Sequence, residues 1–146
     1  KNYPQKKIFV NSSSKNFSYF LYLWTSRQLL PILFKIIAHE IPNVLEGNDI
    51  DYYINTREKK INGPITKFVP MISSSIEVFR KSIDPIRKII IKSGYISGKK
   101  PGLEDYIFFG NFKWVNVCSS CNLLDDEDPV HNWYKKLFKI ANQQIT

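Results

Sequence analysis

The sequence predicts an all-α fold, a bundle of helices in one domain. Its 146 residues are enough to bury a sizeable core, and a hydrophobic content of 43% with 14% aromatic residues argues against disorder. Along most of the chain, apolar residues recur at intervals of three and four, the period of an amphipathic helix. No stretch shows the alternation of a half-buried strand. Together these observations favour helices packed on helices.

The first predicted helix follows a polar opening segment. Residues 1–13, which include Pro4, are expected to form an extended, linker-like stretch, and the helical domain is assigned to residues 14–146. Ser14 is a candidate N-cap because its hydroxyl can accept a free backbone N–H of the first turn. The stripe that defines this helix comprises Phe17, Phe20, Leu21, Trp24 and Gln28.

The apolar pattern continues past this stripe, but the helix is expected to bend. Pro31 has no N–H to bond to the carbonyl of Arg27, so a kink is predicted there. Pro42 and Gly47 are expected to close the helix.

Two helices are predicted in the middle of the chain. The first, Asn48–Lys60, is charged and ends at Asn62-Gly63-Pro64. The second, over Ile65–Lys92, should bend at Pro85 and end at Ser93-Gly94. Its apolar face is the most regular in the sequence and comprises Phe68, Ile72, Ile76, Phe79, Ile83, Ile86 and Ile90.

Two more helices are predicted in the last third of the chain. A Gly/Pro turn at Gly98–Gly102 leads into Leu103–Val117, and a final helix runs from Pro129 to about Asn142. The face predicted to be buried in the former comprises Leu103, Tyr106, Ile107, Gly110, Trp114 and Val117. Because glycine costs about 1 kcal/mol in a helix, Gly110 on this face predicts a close helix–helix contact.

The net charge of +8 is unevenly distributed. Residues 1–100 carry 17 basic and 7 acidic side chains, whereas residues 101–146 carry 4 and 6. A basic surface can attract nucleic acid or another acidic ligand. The basic residues are scattered singly or in pairs without a nucleic-acid motif, which favours solvated helix faces. Nucleic-acid binding is kept as a weaker alternative.

No membrane or secreted protein is predicted. No run reaches the roughly 18 apolar residues that span a bilayer. The basic segment Lys1–Lys7 is not followed by the apolar run of a signal peptide. A cytoplasmic location without a membrane partner is therefore expected.

Cys118 and Cys121 form a CSSC motif after the predicted helix Leu103–Val117. A redox CxxC usually opens a helix, where the helix N-terminus lowers the thiol pKa, and this motif lies at the opposite end. One CxxC with His131 falls short of the four ligands of a structural zinc site. Two ordinary thiols and no metal are expected.

An ordered set of residues spans most of the chain and resembles one known family. In the first helix the set comprises Trp24, Leu29, Pro31 and Phe34. The middle of the chain adds Tyr53, Arg57-Glu58, Gly63 and the run Ile83–Arg87. The last block comprises Pro101, Asp105-Tyr106-Ile107, Gly110, Trp114, Leu123-Leu124, Asp128-Pro129 and Trp133. In this order, residues 3–140 resemble the C-terminal domain of glutathione transferases, and within it the etherase-like group of bacteria and fungi.

The turn before Leu103 resembles a capping box of that family. There a Ser or Thr usually caps the helix and pairs with an Asp three residues later. Here the two positions are Gly102 and Asp105. Glycine is a poorer N-cap than serine by only a few tenths of a kcal/mol, and Asp105 can still accept the N–H of Gly102. Both residues are assigned a structural capping role.

The resemblance covers half of the family's active site. In the family, an N-terminal thioredoxin-like domain holds glutathione, and its Ser, Tyr or Cys acts on the thiol. No βαβ pattern is present here, so no catalytic residue is assigned and the chain alone is expected to be inactive. Glutathione is implied as co-substrate of an intact protein rather than as a tight ligand of this chain. Since the sequence does not begin with Met, a fragment or processed product is one interpretation, and a protein that consists of this half alone is the other.

The resemblance implies that this domain binds the second, hydrophobic substrate. The candidate wall residues are Phe20, Trp24, Phe109 and Trp114, with Arg27 as a partner for an anion; core packing is the alternative for each aromatic residue. The implied reaction is conjugation of glutathione to aromatic or hydrophobic electrophiles, or their glutathione-dependent cleavage. The alternative is a non-catalytic ligand-binding or protein-interaction module. A hydrophobic small molecule, a thioredoxin-like domain and a second copy of the chain are the implied partners.

Overall fold

The computed structural model describes residues 12–143, and their fold is all α-helical, as predicted. Apart from an isolated bridge between Tyr95 and Gly98, this part of the chain contains no strand. The α-helices are α1 (Ser12–Trp24), α2 (Leu30–Ile37), α3 (Asn48–Ile61), α4 (Ile72–Ser82), α5 (Asp84–Ser93), α6 (Leu103–Cys118) and α7 (Pro129–Gln143). Of the predicted linker, residues 1–11 lie outside the described residues, and Ser12 and Ser13 begin α1.

A π-helical turn, Thr25–Leu29, joins α1 to α2 so that the two helices are continuous. The turn lies just before Pro31, which has no N–H and so interrupts the ladder of backbone hydrogen bonds in the helix. The predicted irregularity therefore takes the form of a π-helical turn upstream of the proline. Ser14 lies inside the first turn of α1 rather than at its N-cap, so the helix begins three residues earlier than predicted.

The end of the first helix and the middle of the chain are more broken than predicted. α2 ends at Ile37, before Pro42, which lies in a separate 3-10 turn, Ile41–Val44. The long helix predicted over Ile65–Lys92 consists of a 3-10 helix, Ile65–Met71, followed by α4 and α5. Its seven predicted stripe residues are nevertheless all buried or half-buried.

The break between α4 and α5 lies at Ile83, two residues before Pro85. Ile83 has φ −86° and ψ 2°, outside regular helical values. Pro85 has no N–H to continue the hydrogen-bond ladder of α4, and Asp84 with Pro85 begins a new helix instead. The predicted bend is thus confirmed, as is the stop at Gly94, whose φ is 89°.

α6 is the central helix and contacts α1, α2 and α7, but its buried face differs from the predicted one. The buried residues are Glu104, Asp105, Phe108, Phe109, Asn111, Phe112, Val115 and Cys118. Tyr106 and Val117 are exposed. The close contact predicted at Gly110 is wrong, because a Cβ added there would meet nothing within 4 Å. Glu104, Asp105 and Asn111 are polar but buried, so the buried face of α6 is not the one that its apolar residues predict.

The core lies between α2, α4 and α6 and is closed by α7. Aromatic rings fill its centre: Phe108 lies 5.4 Å from Trp133 of α7, and Phe112 lies 5.7 Å from Phe79 of α4, between ring centroids. Leu33 and Ile36 of α2 are completely buried. No helix in residues 12–143 is long and apolar enough to cross a lipid bilayer.

Candidate functional site

A cleft of about 650 Å³ opens between the π-helical turn, α2, α3 and the C-terminal half of α6. Its wall is largely apolar and includes Leu30, Pro31, Phe34, Ile41, Leu45, Ile61 and Trp114. The Phe34 ring is held edge-on against Phe68, with centroids 6.0 Å apart. A cleft of this size and lining can bury most of a drug-sized ligand.

Tyr53 of α3 supplies a polar atom to the cleft wall, but that atom is already bonded. Its hydroxyl donates to the carbonyl of Ala38 at 3.0 Å. Burial raises the pKa of Tyr53 to about 12, against the opposing effect of the Arg57 guanidinium. The hydroxyl is therefore neutral at physiological pH and is not available as a base. It anchors α3 to the end of α2.

Arg57 and Glu58 have different surroundings although they are adjacent. The guanidinium carbon of Arg57 lies 5.8 Å from the centroid of the Tyr53 ring, a cation–π contact on the cleft wall. Glu58 Oε1 instead accepts the N–H of Ile65 at 3.0 Å and fixes the corner after α3. Arg57 thus belongs to the cleft and Glu58 to the scaffold.

Two of the predicted substrate-binding residues pack inside the bundle. Trp24 is half-buried and stacks on Phe108, with centroids 6.5 Å apart. Phe109 is buried and stacks on Tyr134 at 5.0 Å. Neither lines the cleft. These contacts correspond to the core-packing alternative.

The other three predicted residues lie at the surface or in the cleft. Phe20 is 60% exposed, Arg27 is exposed, and neither contributes to the cleft wall. Trp114 lines the cleft and is half-buried. The structure thus places one of the five predicted residues in this cleft, and a binding role for the other four stays a prediction.

Ten of the eleven residues of the cleft wall are not among the predicted binding residues, and two of these ten are cations. Arg57 is part of the family-like motif but was given no ligand role, and Lys60 was not singled out. The available signal is their spacing with Tyr53 and Ile61: all four residues fall on one face of a helix. A tyrosine, two cations and an isoleucine on one face combine an apolar wall with positive charge.

Asp105 organises the turn before α6. It is completely buried and accepts four N–H groups: Gly102 at 3.1 Å, Ile96 at 2.9 Å, Ser97 at 3.0 Å and the Trp133 indole at 2.8 Å. A carboxylate offers about four lone-pair sites, so none remains for proton transfer. The bond from Gly102 is the one that a capping box requires. Asp105 therefore joins the turn, α6 and α7.

The two cysteines are free thiols. Burial raises the pKa of Cys118 and of Cys121, and the carboxylate of Glu40 adds to both shifts. Both thiols are therefore protonated at neutral pH and weakly nucleophilic. Within the part of the chain that is described, no three His, Cys, Asp or Glu side chains are placed to hold a metal ion.

Comparison with known families matches residues 17–136 to the model described as "Glutathione S-transferase, C-terminal domain". The match begins inside α1, ends inside α7 and covers most of the chain. It includes every residue of the cleft wall and the turn organised by Asp105.

Proposed function

Because the chain belongs to the glutathione S-transferase C-terminal domain family, we propose that it binds the hydrophobic second substrate of a glutathione transferase. The observation that supports this proposal is the apolar cleft beside Trp114. In the intact protein, a thioredoxin-like domain would hold glutathione as co-substrate. The reaction would be conjugation of glutathione to an aromatic or hydrophobic electrophile, or glutathione-dependent cleavage of one.

The cleft would act by positioning rather than by proton transfer. Its apolar wall removes water from the electrophile, and fixing its orientation lowers the entropic part of the barrier. The Tyr53 hydroxyl is neutral and bonded to Ala38, so it is not available to activate a thiol. Under this proposal the thiolate is stabilised by the other domain, and this chain determines which electrophile is presented to it.

Binding can be tested with N-phenylnaphthylamine, a neutral dye that fluoresces in apolar sites. Trp114→Ala should weaken its binding about tenfold, since an aromatic wall contact contributes roughly 1 to 2 kcal/mol. Tyr52→Ala is the matched control because Tyr52 is an exposed aromatic residue outside the cleft. Circular dichroism verifies that both variants are folded. Equal affinities for the two variants would place the dye elsewhere and contradict the proposal.

A second candidate is a non-catalytic ligand carrier, and one observation favours it. The Tyr53 hydroxyl in the cleft wall is neutral and already bonded to the carbonyl of Ala38, which suits a cleft that binds its ligand without a chemical step. Conjugation of glutathione to chlorodinitrobenzene separates the two candidates when it is assayed on the protein isolated from its own cells. Turnover supports the transferase. Dye binding without turnover of any of several electrophiles supports the carrier.

A further inference from the structure

The charged side chains in the cleft wall are both cations. They are Arg57 and Lys60, and the wall residues include no Asp or Glu. The two cations lie three residues apart near the end of α3, where side chains share one helix face. The apolar cleft therefore has a positive edge.

Both cations lack an acidic partner within the described part of the chain. No carboxylate there is within salt-bridge distance of the Arg57 guanidinium or the Lys60 ammonium, whereas Arg80, Arg87 and Lys88 all form ion pairs. Their charges are thus not neutralised by the fold. An anionic ligand would meet no competing carboxylate at this edge.

Arg57 and Lys60 do not donate hydrogen bonds to the carbonyls at the C-terminus of α3 either. Cations near a helix end often bond to its last carbonyls, but here other donors do so. Gly63 N donates to the carbonyl of Glu58 at 3.1 Å, and Asn62 N donates to that of Lys59 at 3.4 Å. Lys67 Nζ donates to the carbonyl of Ile61 at 2.5 Å. Arg57 and Lys60 are left with their donors available.

The Arg57 side chain is solvent-exposed, and its guanidinium has one ring contact that restricts it. It lies against the ring of Tyr53, which is fixed by the bond from its hydroxyl to Ala38. A guanidinium held against a ring loses less conformational entropy when it forms a two-bond contact with a planar anion. The fold therefore favours an acid group at this position.

From this geometry we propose that the cleft selects amphipathic anions, molecules with an aromatic or aliphatic body and a carboxylate or sulfonate that binds Arg57 and Lys60. The body would lie against Trp114 and Phe34 while the acid group reaches the guanidinium and the ammonium. The proposal rests on the proposed function, since it assumes that the cleft is the ligand site. It makes Arg57 and Lys60 specificity determinants, not catalytic residues.

Two dyes with the same aromatic body test the proposal. Anilinonaphthalene sulfonate carries a sulfonate, and N-phenylnaphthylamine is its neutral counterpart. Arg57→Gln and Lys60→Gln should each weaken binding of the sulfonate by about threefold to tenfold, as expected for partly solvated charge-assisted contacts. Binding of the neutral dye should change by less than about twofold in both variants. Added salt should weaken the sulfonate alone.

Lys59→Gln is the matched control, because Lys59 is an exposed cation of α3 that does not line the cleft. If the three variants weaken the sulfonate equally, the effect is one of net charge and anion selection is overturned. The neutral dye separates this failure from that of the proposed function. Loss of binding of both dyes in Trp114→Ala supports the cleft as the site, whereas no binding of either dye to the unaltered chain overturns both proposals.

Discussion

Gly102 is needed for space rather than for an unusual backbone conformation. Its φ of −133° and ψ of −168° are accessible to any residue. A Cβ at this position would lie 2.5 Å from Ser97 Oγ and 2.7 Å from Ser97 Cβ, well inside contact distance. Ser97 is held there because its hydroxyl donates to Glu104 Oε2 at 2.6 Å. The serine or threonine typical of this cap has no room here.

We expect Gly102→Ser to destabilise the protein, although capping preferences alone predict a small gain. The overlap with Ser97 should cost about 1 to 2 kcal/mol, in the range of other overpacking changes. Urea denaturation followed by circular dichroism measures the loss. In a Ser97→Gly background the same substitution should be neutral or stabilising. A gain in the unaltered background would refute the steric explanation.

At the scale of helices, most of what the sequence predicted depends on local physics. The predicted bounds of α3 and α6 agree closely with the observed ones. Residues such as Asn62, in the left-handed conformation after α3, and Gly102, before α6, act on the backbone locally and can therefore be recognised in the sequence. The buried face of α6 could not be predicted in the same way. Asp105 and Asn111 are buried because distant or backbone partners satisfy them, such as the Trp133 indole and the carbonyl of Ile107. Hydrophobic periodicity treats such residues as exposed.

The cleft was predictable only in part for a related reason. Trp114 is one of the wall residues that the resemblance implies, whereas it implies no ligand contact for Arg57 or Lys60 of α3. Which faces of α2, α3 and α6 meet is determined by tertiary packing. Periodicity within one helix does not contain that information. The same limit explains why Trp24 and Phe109 pack against Phe108 and Tyr134 and do not line this cleft.

One guanidinium joins three helices at the corner of the bundle. Arg87 of α5 donates to Asp128 at 2.9 Å, to Asp84 at 3.2 Å and to the carbonyl of Arg80 in α4 at 3.3 Å. Asp128 Oδ1 also accepts the N–H of Val130 at 2.8 Å and so caps α7. The Arg87 side chain therefore ties α4 to α5 across the break at Ile83.

Arg87→Lys should lower the free energy of unfolding by about 1 to 3 kcal/mol, because lysine cannot make the forked contacts of the guanidinium and leaves a partly buried carboxylate poorly paired. Urea denaturation provides the measurement. Lys88→Gln is the control: Lys88 pairs with the same Asp84 but is 76% exposed, so its loss should be close to zero. Equal losses in the two variants would mean that the corner contributes nothing specific.

For the whole molecule, buried titratable groups limit stability at both ends of the pH scale. Burial acts to raise the pKa of Glu104, but the hydrogen bonds from Ser18 and Ser97 outweigh it and the pKa is lowered. At the alkaline end, burial raises the pKa of Cys118 and Cys121, and that of Tyr53 to about 12. The folded state thus prefers an ionised Glu104 together with neutral thiols and a neutral phenol.

The sign of each shift determines where stability is lost. Because the folded pKa of Glu104 is lowered, its contribution is present above its ordinary value of 4.5 and is lost as pH falls through the folded pKa. The folded pKa values of the two thiols and of Tyr53 are raised. The stability contributed by the neutral thiols is therefore present below pH 9.0, that of the neutral phenol below pH 10.0, and both are lost as the pH rises further.

The urea midpoint should therefore be highest between about pH 5 and pH 8 and fall on both sides. Glu104→Gln should flatten the acid limb, since its side chain no longer titrates, while Tyr53→Phe should flatten the alkaline limb. Each variant also loses hydrogen bonds, so its urea midpoint near neutral pH should fall. The test therefore compares how steeply the midpoint changes with pH and not its absolute value. An acid limb as steep in Glu104→Gln as in the unaltered chain would show that other carboxylates govern acid unfolding. The buried Ser18–Glu104–Ser97 contact between α1, α6 and the preceding turn would then not control the loss of stability in acid.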